Sequence, residues 1–305
     1  MEDKNIKVSA SPKTRKFARE LGVDINNIIG SERLGRVIEK DIKNFVASKI
    51  KNPKDINTSK KNEDIKKQYN HSEFGDIQIK DLPRIKKIAA LHLSNSWNTI
   101  PHVTNHDEAD ITELEEFRNS LKDNFTAEKI KLTPLSFVIK AIVASLKKFP
   151  IFNSSIDEDK IILKKYFHIG IAVDTSHGLM VPKLRNVDKK NLQQLNKELK
   201  KISEDCRNLT IDKKEFYGGS ITITSLGGIG GSFFTPIINY PEVAILGLGK
   251  MYKKQVFIDG KFVPRIMLPL SLSYDHRIID GAEAARFNND LKINLGSNFA
   301  YNLAN

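Results

Sequence analysis

Residues 47–75 divide this chain into two parts that have to fold separately. The stretch is rich in lysine, asparagine and aspartate and shows almost no apolar periodicity. A segment with so little hydrophobic surface cannot offset, by burial, the entropy that it would lose on ordering. We therefore predict a flexible charged linker at 47–75, a small domain at 5–46 and a large domain at 76–305.

The positive charge of the chain is concentrated near its start. The formal net charge is +12 over 305 residues, and residues 1–75 hold 17 lysines and arginines against 11 acidic residues. Such a segment can meet nucleic acid, an anionic membrane or an acidic protein. The lysine pairs at 60–61 and 66–67 have no aromatic residues between them to stack bases, so the sequence does not favour nucleic acid.

Cysteine content and hydropathy indicate the compartment. Cys206 is the single cysteine, which excludes an internal disulfide and fits a reducing environment. The sequence has no apolar run as long as a bilayer is thick, and its first twenty residues are charged. We therefore predict a cytoplasmic protein that does not contact membranes.

Helix signals are strong in the small domain. Ser11 is a predicted N-cap, Pro12 suits the first helical position, and Gly22 can end the helix in a left-handed conformation. Phe17 and Leu21, four residues apart, are predicted to face inward. A second predicted helix at 39–48 places three apolar side chains on one face, namely those of Ile38, Ile42 and Phe45. Forty residues with so few large apolar side chains predict a docking module with a marginal core.

The large domain reads as a mixture of helices and strands. Helical spacing predicts one helix around Ile139–Leu146 and another from Ile85 towards Trp97. Strand candidates are the stretches 167–173, 220–225, 243–249 and 267–273. Because helices and strands do not alternate regularly, neither a barrel nor a dinucleotide-binding fold is indicated. The glycines at 227, 228, 230 and 231 predict a tight turn.

The run Ser273–Gly281 holds the strongest candidate for chemistry. His276 and Asp280 are four residues apart and follow a predicted buried strand. Histidine titrates near neutral pH, so a histidine at a strand end can take a proton from a thiol and return it. The alternative is a strand-to-helix corner, with Asp280 as a helix cap and His276 as a surface histidine.

Four stretches of the large domain occur in the order found in one enzyme family. They are 97–104 (Trp-Asn-Thr-Ile-Pro-His-Val-Thr), 152–155 with 174–182, 221–228 leading through 241–245, and 273–281. Together they resemble dihydrolipoamide acyltransferases, the core enzymes of 2-oxo acid dehydrogenase complexes. The run from Ser11 to Ile42 resembles the peripheral subunit-binding domain of the same family. The resemblance implies an α/β catalytic domain (two-layer α+β, like chloramphenicol acetyltransferase) behind a small helical domain.

The resemblance also implies a reaction. An acyl group passes from an S-acyl-dihydrolipoyl arm to the thiol of coenzyme A, with His276 as general base. In the family a hydroxyl donor for the developing oxyanion lies on the strand 52 residues earlier, which is Thr224 here. Ser225 is the alternative, because side chains alternate along a strand and one of the two must face away.

Further site residues are expected from the same resemblance. Asp280 would brace the site by pairing with an arginine, for which Arg84 is the candidate, or would act in catalysis. His102 and Asn153 would line the coenzyme A or lipoyl channel, or else pack in the interior. No Cys/His cluster has metal-ligand spacing in the sequence, so we expect no metal.

The small domain is expected to dock a partner through charge. Arg15 and Arg19 share a helix face, Lys16 lies beside them, and Arg36 follows the loop. The resemblance places these cations at the surface that binds lipoamide dehydrogenase or the thiamine-dependent decarboxylase. The planar fork of arginine suits carboxylates on such a partner.

The family resemblance finally implies an assembly. The catalytic domain would form trimers that share active sites between neighbours, and the trimers would join into a cubic core. Lipoyl groups would come from another polypeptide or from a missing upstream domain. The runs at 101–104 and 227–239 look most like those of acetyl-transferring members. A succinyl- or branched-chain-transferring relative and a non-catalytic scaffold remain as alternatives.

Overall fold

The computed structural model describes residues 8–51, 71–121 and 131–300. Most of the predicted linker, including its lysine pairs, lies outside the described residues. The chain divides into two compact units, Met1–Lys80 and Asp81–Asn305, which are taken separately here. Among the described residues, no helix combines the length and the apolar character that a bilayer crossing requires.

Two helices form the frame of the first unit. They are α1, Pro12–Glu20, and α2, Glu39–Lys51. Ser11 caps α1 as expected, because its Oγ accepts a hydrogen bond of 3.1 Å from the Thr14 amide, and Gly22 follows with φ +66°. The predicted start and end of this helix are therefore present.

The core of the first unit is small. It consists of Ala18, Ile25, Ile28, Val37 and Ile42. Leu21 was expected to face inward, but its side chain is 44% exposed. The helix ends at Glu20, so Leu21 leaves the helical path as the C-cap, and Ala18 takes the inward position instead.

A buried carboxylate ties the loop of the first unit to α2. Asp41 Oδ2 accepts hydrogen bonds from the amides of Ser31 (3.0 Å) and Ile38 (3.1 Å). These bonds, those from Ser31 foremost, hold the pKa of the Asp41 carboxyl below its ordinary value. A lowered pKa in the folded state stabilises the fold above the ordinary carboxyl pKa. This contribution is lost as the pH falls through the lowered value.

The second unit contains five helices and nine strands among its described residues. The helices are α3 Arg84–Thr99, α4 Thr112–Ser120, α5 Pro134–Lys148, α6 Leu192–Arg207 and α7 Gly281–Leu295. The strands are β1 His102–Asp110, β2 Ser154–Asp157, β3 Lys160–Leu163, β4 Ile169–Ile171, β5 Lys183–Leu184, β6 Ile221–Ser225, β7 Ala244–Leu248, β8 Tyr252–Ile258 and β9 Lys261–Asp275.

A seven-stranded mixed sheet organises the second unit. Its order is β1-β9-β7-β6-β4-β5, with β8 paired to the early part of β9, and β2 and β3 form a separate hairpin. Strand β6 runs parallel to β4 and β7, whereas β9 is antiparallel to β1, β7 and β8. This arrangement confirms the predicted mixed class of α/β fold.

The two faces of the sheet differ in chemistry. One face carries apolar side chains that join α5, α6 and α7 in the main hydrophobic cluster, among them Ile221, Ile223, Leu246, Leu270, Leu272 and Tyr274. Because side chains alternate along a strand, the opposite face carries Thr222, Thr224, Ser271 and Ser273. The sheet therefore offers a row of hydroxyl groups on the side away from the helices.

Candidate active site

His276 lies in the turn that follows β9. Its amide donates a hydrogen bond of 3.1 Å to the Pro101 carbonyl, and the Asp275 amide donates one of 2.8 Å to the Val243 carbonyl. The backbone of the turn is thus fixed to the segment before β1 and to the start of β7. The His276 side chain is exposed, with the Tyr274 ring 5.8 Å from its own ring. An exposed imidazole on a fixed backbone can exchange protons with a substrate.

An ion pair that the sequence did not indicate brackets His276. The Asp275 side chain is 1% exposed, and its carboxylate accepts hydrogen bonds from Arg277 Nε (2.9 Å) and Nη2 (2.6 Å). The hydrogen bonds to Asp275 raise the pKa of Arg277. These two hydrogen bonds join the residues on either side of His276, whose imidazole takes no part in them.

Asp280 acts as a helix cap in this structure. Its Oδ1 accepts a hydrogen bond of 2.7 Å from the Glu283 amide at the start of α7. Arg84 is exposed at the start of α3 and forms no ion pair with Asp280 in the described part of the chain. Within one chain the α7 amide is the partner of Asp280, and the expected brace by Arg84 stays a prediction. A catalytic role of Asp280 stays a prediction.

Thr224 and Ser225 lie on opposite faces of β6. Thr224 is half-buried and shares the hydroxyl face with Thr222, whereas Ser225 lies on the face of Ile221 and Ile223. Ser225 is exposed, and its Oγ accepts a long hydrogen bond of 3.4 Å from the Gly227 amide. On the face of Thr224 the neighbouring Thr222 and Ser271 side chains are buried, so the partly exposed Thr224 is the hydroxyl there that a substrate can reach.

A glycine beside Thr224 makes room for an aromatic ring. Thr224 is in register with Gly247 on β7, and Gly247 is in register with Ser271 on β9. A Cβ on Gly247 would come within 2.7 Å of the Phe234 ring, and Ser271 Oγ accepts a hydrogen bond of 3.3 Å from the Phe234 amide. Phe234 therefore packs over the strand next to Thr224.

One chain keeps Thr224 and His276 apart. Across the sheet, the residue of β9 in line with Thr224 is Ser271. Ser271 lies two strands away from Thr224 and five residues before His276. With strands about 4.8 Å apart and a rise of about 3.3 Å per residue, the two positions are separated by about 19 Å. A base and an oxyanion donor must both lie about 3 Å from the reacting atoms. The two backbone positions of one chain are thus much farther apart than the reacting atoms that both groups have to reach.

His102 and Asn153 act as packing groups in this structure. His102 Nδ1 donates to the Ile100 carbonyl (2.7 Å), and Nε2 accepts from the Ile238 amide (3.0 Å), so both ring nitrogens are engaged. Asn153 is 1% exposed, and its Nδ2 donates to two carbonyl oxygens, those of Lys164 and Tyr166. Both residues thus take part in hydrogen bonds within the chain, and a place in the coenzyme A or lipoyl channel stays a prediction for each.

The predicted docking cations lie on the first unit. Lys16, Arg19 and Arg36 are exposed, with acidic neighbours no closer than 3.9 Å, where ion pairs stabilise little. Arg15 is half-buried, and its Nη2 donates a hydrogen bond of 2.5 Å to the Val8 carbonyl. Three of the four cations are therefore available to a partner, and Arg15 also anchors the N-terminal segment.

Metal-ligand geometry is not found in the described parts of the two units. No group of three or more histidine, cysteine, aspartate or glutamate side chains is placed there to hold an ion. Cys206 is buried, and burial raises the pKa of its thiol to about 11. A buried thiol with a raised pKa is poorly suited to act as a nucleophile.

Comparison with known families agrees with this site. A family model described as 2-oxoacid dehydrogenases acyltransferase (catalytic domain) matches residues 75–300, and one described as e3 binding domain matches residues 8–43. The chain belongs to the family of 2-oxoacid dehydrogenase acyltransferases, as the sequence motifs indicated.

The similar proteins with curated names are dihydrolipoyllysine-residue acetyltransferase components of pyruvate dehydrogenase complexes. The protein of Cupriavidus necator is 46% identical over 288 residues, which are 92% of this chain and 52% of that protein. The protein of Haemophilus influenzae is 42% identical over 295 residues, again 52% of its length. This chain thus spans about half the length of these two relatives.

Solved structures show the same fold for the second unit. The dihydrolipoamide acetyltransferase of Azotobacter vinelandii is 47% identical with a TM-score of 0.73, and the match covers 76% of this chain and 96% of that chain. The same values describe the match to the cubic core of a pyruvate dehydrogenase multienzyme complex. The catalytic domain therefore has the acyltransferase-core fold.

Proposed function

We propose that this protein transfers an acetyl group from an S-acetyl-dihydrolipoyl arm to coenzyme A in a pyruvate dehydrogenase complex. One observation carries the proposal. The solved A. vinelandii structure addresses the role of a serine, a histidine and an asparagine in the catalytic mechanism, the serine 52 positions before the histidine and the asparagine four after it. Here Thr224, His276 and Asp280 have the same spacing. The exposed imidazole of His276 and the half-buried hydroxyl position of Thr224 support these assignments.

The steps of the transfer follow from these groups. His276 takes the proton from the thiol of coenzyme A, and the thiolate sulfur attacks the thioester carbonyl to form a tetrahedral intermediate. The Thr224 hydroxyl donates a hydrogen bond to the oxyanion of that intermediate. Collapse breaks the carbon–sulfur bond to the dihydrolipoyl group, and His276 returns the proton to the leaving sulfur. The reaction is an exchange of thioesters and needs no redox partner.

We further propose that each active site is shared by two copies of the chain. The backbone separation of about 19 Å between Thr224 and His276 supports a site in which one copy supplies the base and another the hydroxyl. A closed ring of copies satisfies every site when each copy meets its neighbours head to tail. Trimers that join into a cubic core fit this requirement, and the similar cubic-core structure supports it.

We also propose a partner for the first unit, a source of the acetyl group and a compartment. The first unit would bind lipoamide dehydrogenase, in keeping with the family model for residues 8–43. The lipoyl arm would be a substrate presented to the catalytic domain, and the complex would work in the cytoplasm.

A comparison of acetyl- and succinyl-coenzyme A as donors to free dihydrolipoamide tests the acyl group. Preference for succinyl-coenzyme A, or no turnover of either thioester, would contradict acetyl transfer.

Thr224→Ala should lower the turnover rate about 100-fold or more with little change in the Michaelis constant for acetyl-coenzyme A. An oxyanion donor acts mainly in the transition state, so its loss reduces kcat and leaves substrate binding intact. Ser225→Ala is the matched control, because it removes the neighbouring hydroxyl from the opposite face of β6. Steady-state kinetics with acetyl-coenzyme A and dihydrolipoamide measure both variants. A larger loss of activity in Ser225→Ala than in Thr224→Ala would show that Ser225, and not Thr224, is the oxyanion donor.

Arg19→Ala/Arg36→Ala should weaken binding to lipoamide dehydrogenase at least tenfold at low salt. Arg36 lies 4.0 Å from Glu32, and Arg19 donates a long hydrogen bond of 3.4 Å to the Arg15 carbonyl, so both exposed cations remain able to pair with carboxylates of another protein. Wild-type binding should also weaken as salt rises, because exposed charges are screened over about 8 Å at physiological ionic strength. Surface plasmon resonance on the full chain at two salt concentrations measures this.

The control for the docking variant is Lys40→Ala/Lys43→Ala, which removes the same charge from α2. It should retain most of the affinity, since general attraction of a basic domain is not the proposed cause. Equal losses in the two double variants would mean that net charge alone attracts the partner. Salt-independent binding would exclude docking by charge.

A further inference from the structure

A buried ion pair lies beside the strand that carries Thr224. Lys183 and Glu242 have side chains that are 1% and 2% exposed, and Lys183 Nζ donates to Glu242 Oε1 over 2.5 Å. Neither residue takes part in the proposed transfer of the acetyl group. Two charges removed from water carry a large desolvation cost, and such a pair is often no more stabilising than apolar side chains of similar volume. Stability alone is therefore a weak explanation for this pair.

Thr222 joins the ion pair to β6. Its Oγ1 donates a hydrogen bond of 2.6 Å to Glu242 Oε2 and accepts one of 3.4 Å from Lys183 Nζ. Thr222 is fully buried and lies two residues before Thr224 on the same face of the strand. The ion pair therefore fixes the strand from the side on which Thr224 presents its hydroxyl.

Two glycines let the backbone close tightly around this cluster. A Cβ on Gly219 would lie 2.1 Å from Glu242 Oε1 and 2.8 Å from Lys183 Cε. A Cβ on Gly170 would lie 2.4 Å from Thr222 Oγ1. Because the neighbouring backbone leaves no free space, the charged groups cannot shift without moving β4 and β6 as well.

The same cluster is continuous with the His276 turn. Glu242 is followed by Val243, whose carbonyl accepts the Asp275 amide at 2.8 Å. Asn239 Nδ2 also donates to Glu242 Oε1 (3.1 Å), and it belongs to the segment whose Ile238 amide binds His102. One rigid network thus supports the strand of Thr224 and the turn of His276.

We propose that Lys183 and Glu242 are positioning residues that act through Thr222 to hold the Thr224 hydroxyl at the place where the oxyanion forms. This role rests on the proposed acetyl transfer. Lys183 and Glu242 do not touch the substrate. Their effect on the rate reaches the reacting atoms only through the placement of β6.

Thr222→Val tests this role with little change of shape. Valine keeps the β-branched form that suits a strand and removes only the hydroxyl that joins β6 to the ion pair. The expected result is a fall in kcat of about tenfold with the Michaelis constant for coenzyme A within about twofold of wild type. Thr222→Ser, which keeps the hydroxyl, should restore most of the rate. Thr104→Val is the matched control, since it removes a hydroxyl bonded to Ser273 on the same face.

The decisive comparison repeats Thr222→Val in a Thr224→Ala background. Once the Thr224 hydroxyl is absent there is nothing left to position, so the further loss of kcat should shrink to less than about twofold. A tenfold loss in both backgrounds would overturn the positioning role and indicate general damage to the fold. An unchanged kcat in Thr222→Val alone would overturn it as well. If Thr224→Ala itself kept full activity, the proposed function of Thr224 would fail first.

A second variant removes the charges themselves. Lys183→Met/Glu242→Gln deletes both members of the pair together, so neither charge is left buried without its partner. Thermal unfolding and light scattering should show a folded oligomer, and kcat should fall as in Thr222→Val, again only while Thr224 is present. A folded double variant with wild-type kcat would contradict the proposal.

Discussion

His276→Ala is expected to lower the rate of acetyl transfer by about 10³-fold. A general base contributes between about 10² and 10⁴ to a rate, and without it the small thiolate fraction of the attacking thiol, which in this assay is that of dihydrolipoamide, is the only nucleophile at neutral pH. The side chain is exposed and the backbone supplies the bonds that hold the turn, so the fold should not change. Thioester formation from acetyl-coenzyme A and dihydrolipoamide measures the loss.

His177→Ala is the control for that variant. His177 is an exposed histidine in a turn, and only its amide forms a hydrogen bond, to Thr175 Oγ1. Its replacement should leave the rate unchanged, as should the thermal midpoint in both variants. Full activity in His276→Ala would remove the proposed mechanism, because no other residue is assigned as the base.

Much of the fold could be predicted because local signals coincide with it. Ser11, Pro12 and Gly22 each stand where helix capping requires them, and β6 and β7 begin and end within one residue of the predicted stretches. These elements depend on residues close together in the chain. Their sequence patterns are therefore sufficient to place them.

Strand β1 and the β8–β9 hairpin were not predicted. Strand β1, His102–Asp110, is almost wholly polar because it lies at the sheet edge, so the apolar alternation that reveals a strand is missing. The hairpin turns at Asp259 and Gly260 with φ of +49° and +79°, and the Asp-Gly pair is the available signal for it. The residues on either side of this turn are exposed on both faces, so the sequence lacks the alternation of apolar and polar residues that predicts a strand.

The site was predictable only in part for a related reason. Residue spacing singled out His276 and Thr224, but only the sheet shows which of Thr224 and Ser225 lies on the face opposite the main hydrophobic cluster. The ion pairs of Asp275 with Arg277 and of Lys183 with Glu242 could not be inferred. The members of the second pair are 59 residues apart, and they meet because Lys183 on β5 is in register with Gly170, which is in register with Thr222, the partner of Glu242.

A mixture of two inactive variants is expected to recover activity. His276→Ala copies keep the Thr224 hydroxyl, and Thr224→Ala copies keep the histidine. In a closed ring each site takes its base from one copy and its hydroxyl donor from the next. When equal amounts assemble at random, about one quarter of the sites receive both groups. The mixed oligomer should therefore reach about one quarter of the wild-type rate, far above either variant alone.

Co-assembly of these two variants tests whether the active site is shared between copies of the chain. The variants are expressed together, the oligomer is purified, and its size and kcat are compared with those of each variant assembled alone. If the site is shared, the mixed oligomer should have the size of the wild-type oligomer and about one quarter of its kcat. A mixed oligomer of wild-type size with no more activity than the average of the two variants would contradict it, because base and hydroxyl would then have to come from the same chain.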